Sequence, residues 1–264
     1  MLSTRRGLVA GGLVLTAILV GVAGLVAVNA MARQTVREEH IYAFTGKMLA
    51  IDAVIGDVHI VPGKAGQLGV ARRLTYGLRR PFVEERIDGD VFRVADRPCN
   101  AAFDCEVRWL LQVPRDIDVE VTTQSGSINV SGMSNTVKLV TDTGSVRVDA
   151  PSGKLLTIRS RTGSVSAQNI RSEQVVATST NGAVSLTFRA PPSLVVGRSE
   201  TGNVGVVLPD GDESYRIEAK SSQDGSRTVT AKDSPDSRRR INVRSSKGDV
   251  SVLQNPDRDR EPAG

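Results

Sequence analysis

Few side chains in this sequence are suited to chemistry, and their spacing limits what they could do. The chain of 264 residues carries two histidines and two cysteines. Cys99 and Cys105 enclose a short loop, Asn100-Ala101-Ala102-Phe103-Asp104, just after Pro98. Two cysteines this close form a disulfide in an oxidising compartment and stay as thiols in a reducing one. The bridge would clip a local turn rather than hold the fold together. A zinc site would need two more ligands, and His40 and His59 are distant in sequence. His59 alternates between Val58 and Ile60, which turns it outward, and no Gly-x-Ser-x-Gly elbow is present to use it. Asp210-Gly211-Asp212-Glu213 lacks the ligand number and spacing of a calcium loop and reads as an acidic turn after Pro209. Arg238-Arg239-Arg240, beside Asp233 and Asp236, reads as a solvated loop and edge strand. Its functional alternative is contact with anionic lipid or wall polymer. No catalytic residue, metal ligand or cofactor-binding residue is assigned.

Composition narrows the class further. The 34 Lys+Arg and 29 Asp+Glu give a net charge of +5. Arg5 and Arg6 hold two of those charges and are the only charged residues before Arg33, so the rest of the chain is only mildly basic. That is too weak to imply nucleic-acid binding. With 25 glycines, one Trp, three Tyr and five Phe, the chain is poor in aromatics and rich in turn formers. Together with frequent Ser, Thr and Val this points to β structure with many turns.

Location is written at the N-terminus. Gly7 to Ala32 contains no charged residue. A helix of that length reaches roughly 39 Å, against a hydrocarbon core of about 30 Å. Arg5 and Arg6 precede it, which keeps the N-terminus in the cytoplasm and sends the remainder across. The alternative is a cleaved signal peptide, since Val28-Asn29-Ala30 offers small residues to a peptidase. The apolar region of a signal peptide is shorter, about 7–15 residues. No second apolar run follows, so the body is expected outside the membrane on a single tether.

Past residue 110 the chain repeats a turn glycine followed by a short alternating strand. The units are Ser125-Gly126-Ser127-Ile128-Asn129-Val130, Thr143-Gly144-Ser145-Val146-Arg147-Val148 and Thr162-Gly163-Ser164-Val165-Ser166-Ala167. Asn181-Gly182-Ala183-Val184-Ser185-Leu186, Thr201-Gly202-Asn203-Val204-Gly205-Val206 and Lys247-Gly248-Asp249-Val250-Ser251-Val252 continue the series. Between successive units lies a second strand, carrying Val137/Leu139, Leu156/Ile158, Val175/Ala177 and then Leu194 to Val196. One unit cannot bury its aliphatic face alone. Stacking units places Ile128, Val146, Val165, Val184 and Val204 in one inner column, and Val137, Leu139, Leu156 and Ile158 begin another. The glycines fall at corners, where positive φ is needed and a Cβ would clash. The expected fold is all-β, a repetitive β-solenoid (β-helix-like) of roughly 19-residue Gly-x-Val repeats behind one N-terminal transmembrane helix. A sandwich of antiparallel hairpins is the alternative.

These features resemble a known family. The N-terminal anchor, the segment Leu111-Gln112-Val113-Pro114-Arg115-Asp116-Ile117-Asp118-Val119 and the tandem Gly-x-Val/Ile units look like the bacterial "putative adhesin" family of unknown function, the DUF4097 group. The similarity covers roughly residues 45–253, and Ile55-Gly56-Asp57-Val58-His59-Ile60 matches the same unit. The resemblance implies an extracytoplasmic, repetitive β domain and assigns no catalytic residues. The repeat-turn glycines are thus Gly56, Gly126, Gly144, Gly163, Gly182, Gly202 and Gly248.

Residues 41–110 differ in holding Tyr42, Phe44, Tyr76, Phe82, Phe92, Phe103 and Trp109. They read as a cap closing one end of the stack, with an aromatic ligand platform as the alternative, and Asp88-Gly89 marks a hairpin turn. The expected organisation is a cytoplasmic N-terminus 1–6, a transmembrane helix 7–32, a linker 33–44, a β cap 45–110, solenoid repeats 111–253 and a disordered tail 254–264. The function expected is a non-enzymatic, membrane-anchored extracytoplasmic scaffold or adhesin-like binding module, with no cofactor and no metal. Its partners are the membrane and an envelope protein or cell-wall polymer, not nucleic acid. The ectodomain of an envelope-stress signalling complex is the alternative. A polysaccharide-active β-helix enzyme ranks third, because no periodic acidic column appears.

Overall fold

The computed structural model describes residues 18–97, 105–222 and 225–254. A helix occupies residues 18–31. The strands begin with β1 (Gln34–Ala43), β2 (Met48–Ile55), β3 (Val58–Pro62), β4 (Gln67–Tyr76), β5 (Phe82–Asp88), β6 (Val91–Arg97) and β7 (Cys105–Val113). Then come β8 (Asp118–Ser125), β9 (Ile128–Ser131), β10 (Val137–Thr143), β11 (Val146–Asp149), β12 (Leu155–Thr162), β13 (Val165–Ile170) and β14 (Gln174–Asn181). The series ends with β15 (Val184–Phe188), β16 (Leu194–Ser199), β17 (Val204–Leu208), β18 (Arg216–Lys220), β19 (Arg227–Val229), β20 (Arg240–Ser245) and β21 (Val250–Gln254).

The strands form two sheets. Sheet I has eleven strands in the order β1-β4-β7-β3-β9-β11-β13-β15-β17-β21-β19. Sheet II has ten, in the order β18-β20-β16-β14-β12-β10-β8-β2-β6-β5. Each Gly-x-Val turn joins a sheet II strand to a sheet I strand, so one strand from each sheet makes a rung. Rungs stack in parallel, which excludes the antiparallel hairpin sandwich. Ile128, Val146, Val165, Val184 and Val204 are direct register partners, as the inner column requires. Val137 pairs with Leu156, and Leu139 with Ile158. All nine are buried. Each buried Val or Leu contributes roughly 1.5–3 kcal/mol, which only stacked rungs can collect.

Rung order is permuted at both ends. Strands β2 and β3 pair with β8 and β9 on one side and with β6 and β7 on the other. The stack therefore starts before residue 111: the expected boundary at 110/111 does not exist, because Gly56 already turns a full rung. At the far end β20 and β21 sit between β16/β17 and β18/β19, which are outermost.

The segment expected as a linker, 33–44, is largely strand β1, antiparallel to β4 from Gln34↔Tyr76 to Ala43↔Gln67. Its charges at Arg37, Glu38 and Glu39 hide the alternation in which Val36, Glu38 and Tyr42 turn towards the core. β4 and β5 likewise run antiparallel to their neighbours, and the β5–β6 hairpin turns at Gly89, with φ +60°. Tyr42 and Phe44 pack on the buried ring of Phe92, at centroid distances of 5.0 and 6.2 Å.

No helix among the described residues is long and apolar enough to cross a membrane. Residues 1–17, which carry the first part of the expected span, lie outside the described residues, as do 255–264 of the expected tail. Gln254 closes β21.

Substitutions on the two faces of β13 test this packing. Val165 is 1% exposed, and Ser166 turns to the outer face. Val165→Asp should cost several kcal/mol, because it buries an unpaired charge. Ser166→Asp should change stability by less than about 0.5 kcal/mol. Denaturant midpoints decide, and greater damage from Ser166→Asp would reverse the face assignment.

Candidate functional site

The turn glycines of the sequence form a single column. An added Cβ would lie 1.9 Å from the Gly56 carbonyl oxygen at Gly126 and 2.1 Å from that of Gly126 at Gly144. At Gly163 it would lie 2.1 Å from the Gly144 oxygen, at Gly182 2.3 Å from the Gly163 oxygen, and at Gly202 2.4 Å from the Gly182 oxygen. Gly248 continues the column against Gly202. Gly56 begins it against the Val107 carbonyl, where the distance would be 1.6 Å. Gly56 through Gly182 also have φ between +141° and +157°. Gly202 and Gly248 do not share that φ, so close approach alone selects glycine there. Sequence reading missed Gly225, whose Cβ would lie 2.5 Å from the Gly248 oxygen on the outermost rung.

A column of hydroxyls runs beside the glycines. Thr141, Ser160, Ser179, Ser199 and Ser245 donate to the carbonyls of Gly126, Gly144, Gly163, Gly182 and Gly202, at 2.8–3.1 Å. All five are buried. Thr123 is next in the column, and its hydroxyl has no hydrogen-bond partner among the described residues. Asp96 lies buried at the N-terminal end of sheet II. Its carboxylate accepts from Val54 N at 2.6 Å and from Trp109 Nε1 at 3.3 Å. Burial raises its pKa, and the hydrogen bonds oppose that rise.

The N-terminal end also carries a buried ionic network. Glu85 of β5 accepts from Arg72 of β4 and from the Tyr42 hydroxyl of β1, so it ties sheet II to sheet I. Arg72 also bonds Glu38 at 2.6 Å, and Arg80 joins the same carboxylate. Burial would raise the Glu38 pKa, but Arg72 and Arg80 outweigh it and the net shift is downward. Burial, and then the bond to Glu85, push the Tyr42 hydroxyl up to about 12.

The remaining candidates of the sequence do not converge. Cys105 is buried at the start of β7 and is not a free thiol. Cys99 lies outside the described residues. His59 is exposed on sheet I, as its alternation requires, and His40 stands 3.7 Å from Glu85. Asp212 pairs with Lys232 at 2.8 Å and Glu213 with Arg239 at 3.4 Å, so two of the turn's three acids are matched by cations. Of the arginine run, Arg239 also donates to the carbonyls of Pro191 and Pro192. Arg240 opens β20, an interior strand rather than the expected edge.

Parallel register sets the outer faces too, where equivalent side chains line up across rungs. Some charges there are matched between adjacent rungs: Lys138 meets Glu120 at 2.6 Å, and Arg161 meets Asp142. One groove of sheet II gathers unmatched charges together. It has a volume of about 460 Å³ and is lined by Thr178, Thr180, Arg198, Glu200, Glu218, Lys220, Asn242, Arg244 and Ser246, among others. Arg198 is the register partner of Arg244, and Arg244 of Lys220. No sequence reading assembled these three, because β20 folds back between β16 and β18. The available signal was positional: Arg159, Arg198 and Arg244 each directly follow an inward residue of the second strand of a unit.

The Toastrack DUF4097 family matches residues 104–262. The chain belongs to that family. Among solved structures, the Toastrack chain is similar to a putative cell adhesion protein from Clostridium sporogenes at 13% identity, covering 84% of this chain and all of that one, with a TM-score of 0.36. It is also similar to putative adhesins from Bacteroides fragilis and Parabacteroides distasonis, each at 10% identity and covering 84% of this chain and 97% of that one. Their TM-scores are 0.39 and 0.43. No curated protein matches.

The glycine column of this Toastrack chain makes a direct prediction. Gly163→Ala forces a Cβ onto the Gly144 carbonyl at a positive φ and should cost about 2–4 kcal/mol. Gly205→Ala, whose Cβ would meet only the Ser251 hydroxyl at 3.4 Å, should cost less than about 0.5 kcal/mol. Equal unfolding midpoints for the two variants would remove the column's structural role.

Proposed function

We propose that this chain is a membrane-tethered, extracytoplasmic binding module that works without catalysis, its rungs forming a β-solenoid that carries a binding surface away from the bilayer. The tether is the uncharged run Gly7–Ala32 behind Arg5 and Arg6. The observation that carries the reading is the placement of the groove. The helix over residues 18–31 leads into β1 at one end of the stack, and Asn29 accepts from Leu78 N in the loop after β4. The groove lies on β16, β20 and β18, at the other end. Six strand spacings separate β6 from β16 in sheet II, roughly 29 Å at about 4.8 Å each. A rigid stack of this length presents the groove to the surroundings while its other end stays at the membrane. A Cys99–Cys105 disulfide belongs to the same reading, since it requires an oxidising compartment.

The test is surface labelling of intact cells expressing the full chain. Ser246→Cys places a thiol in the groove. A membrane-impermeant maleimide should label that variant without lysis and leave the native chain unlabelled, its two cysteines being bridged. The protein should remain in the membrane fraction after alkaline washing. Labelling that requires lysis would overturn the extracytoplasmic reading, and quantitative labelling of native Cys99 and Cys105 would overturn the bridge.

A further inference from the structure

Like charges stacked on neighbouring strands are destabilising, and at two other places where this molecule stacks them carboxylates relieve the repulsion: Glu39 and Glu106 on the Arg37–Arg73–Arg108 row, and Asp88 beside Arg86 and Arg93. Lys138 faces Glu120 one rung away, Arg161 faces Asp142, and Lys232 faces Asp212. The row of cations in the groove of sheet II has no such ion pair among the described residues. Arg198, Arg244 and Lys220 occupy three successive strands in direct register, all exposed. None of the three has an ion-pair partner among the described residues. Two carboxylates also line the groove, Glu200 and Glu218, the latter accepting from Asn242 Nδ2 at 3.0 Å, and the three cations leave the groove net positive. Two strands further along the same row, with Thr178 between, stands Arg159. Three cations without ion-pair partners among the described residues, held at strand spacing of about 4.8 Å per step, form a straight track within a groove of about 460 Å³.

We infer that this groove binds a linear polyanion, whose successive phosphate or sulfate groups sit on Arg198, Arg244 and Lys220. The inference rests on the groove being a binding surface, as proposed above, and names its ligand class. Guanidinium groups bind the oxygens of phosphate or sulfate in pairs, and Lys adds a point charge. A polymer satisfies all three cations at once, whereas a single small anion relieves only one contact. The free protein bears the repulsion of the track, and the bound polymer removes it.

The experiment uses the full chain in a neutral detergent, with fluorescent dextran sulfate and long-chain inorganic polyphosphate as probes and unsubstituted dextran as the uncharged comparison. Binding is followed by anisotropy over a range of salt concentrations. The native chain should bind at least one of the two polyanions and not dextran; which one it prefers separates a sulfated from a phosphorylated source. The variant Arg198→Gln/Lys220→Gln/Arg244→Gln should bind at least tenfold more weakly. The slope of log affinity against log salt should fall by about 2–3, from roughly 0.7–0.9 for each of the three lost contacts. A control of equal charge, Lys138→Gln/Arg161→Gln/Lys232→Gln, should bind like the native chain. Without ligand, the groove variant should unfold at a denaturant midpoint equal to or above the native one, because it has lost only repulsion. Equal weakening of both variants would show a general charge effect and overturn the site. A lower midpoint for the groove variant would assign these residues a structural role instead and overturn it as well. No binding by the native chain would overturn the ligand class while leaving the labelling of Ser246→Cys to judge the exposed-surface reading independently.

Discussion

The contact on which the rest depends is the seating of one turn glycine on the carbonyl of the glycine below it. From Gly126 to Gly182 each turn leaves no room for a side chain and holds a φ that L residues avoid. The same carbonyls take a second load from the buried hydroxyls of Thr141, Ser160, Ser179, Ser199 and Ser245. Glycine removes the steric barrier to close approach, and the hydroxyl satisfies an acceptor that would otherwise be buried and unpaired. Together they fix each rung's height and register at the corner. With the corner fixed, inward residues fall into columns and outward residues into straight rows. The aliphatic core and the cationic track are two products of that one registration.

A stack with this much open edge needs its ends closed, and the two ends are closed differently. At the N-terminal end, antiparallel strands β1, β4 and β5 flank the rungs, and Glu85 and Arg72 join the sheets where the aliphatic columns stop. Asp96 is buried at that end, accepting from Val54 and Trp109. At the other end the chain skips a rung, lays down β18 and β19, and returns with β20 and β21 to fill the gap. The outermost strands are short and charged, with Arg216, Glu218, Lys220 and Arg227, which suits an edge that must resist further pairing. That return path also places Arg244 between Arg198 and Lys220.

Much of this was legible because the repeat is a local signal. The near-constant glycine spacing and the period-two alternation were enough to identify the inner columns, and the Gly56 unit was visible as a copy. The glycine of the outermost rung, Gly225, was not legible, since no Gly-x-Val/Ile unit follows it. Nor was β1, where three charged residues in a row mask a strand whose inward positions include Glu38, neutralised by Arg72 and Arg80. The hydroxyl column was hidden because Ser and Thr at inward positions look the same as Ser and Thr facing water. The groove was hidden for a topological reason: its residues come from strands whose order in space differs from their order in the chain.

Rung registration set at the glycine turns has a signature in residue-resolved amide hydrogen exchange. The amides of Gly126, Gly144 and Gly163 lie in turns, yet each donates to a carbonyl of the next rung at 2.8–2.9 Å. These three should exchange as slowly as the strand amides beside them, while Gly89 in the β5–β6 hairpin turn exchanges quickly. Exchange at Gly126, Gly144 and Gly163 as fast as at Gly89 would contradict registration at the turns.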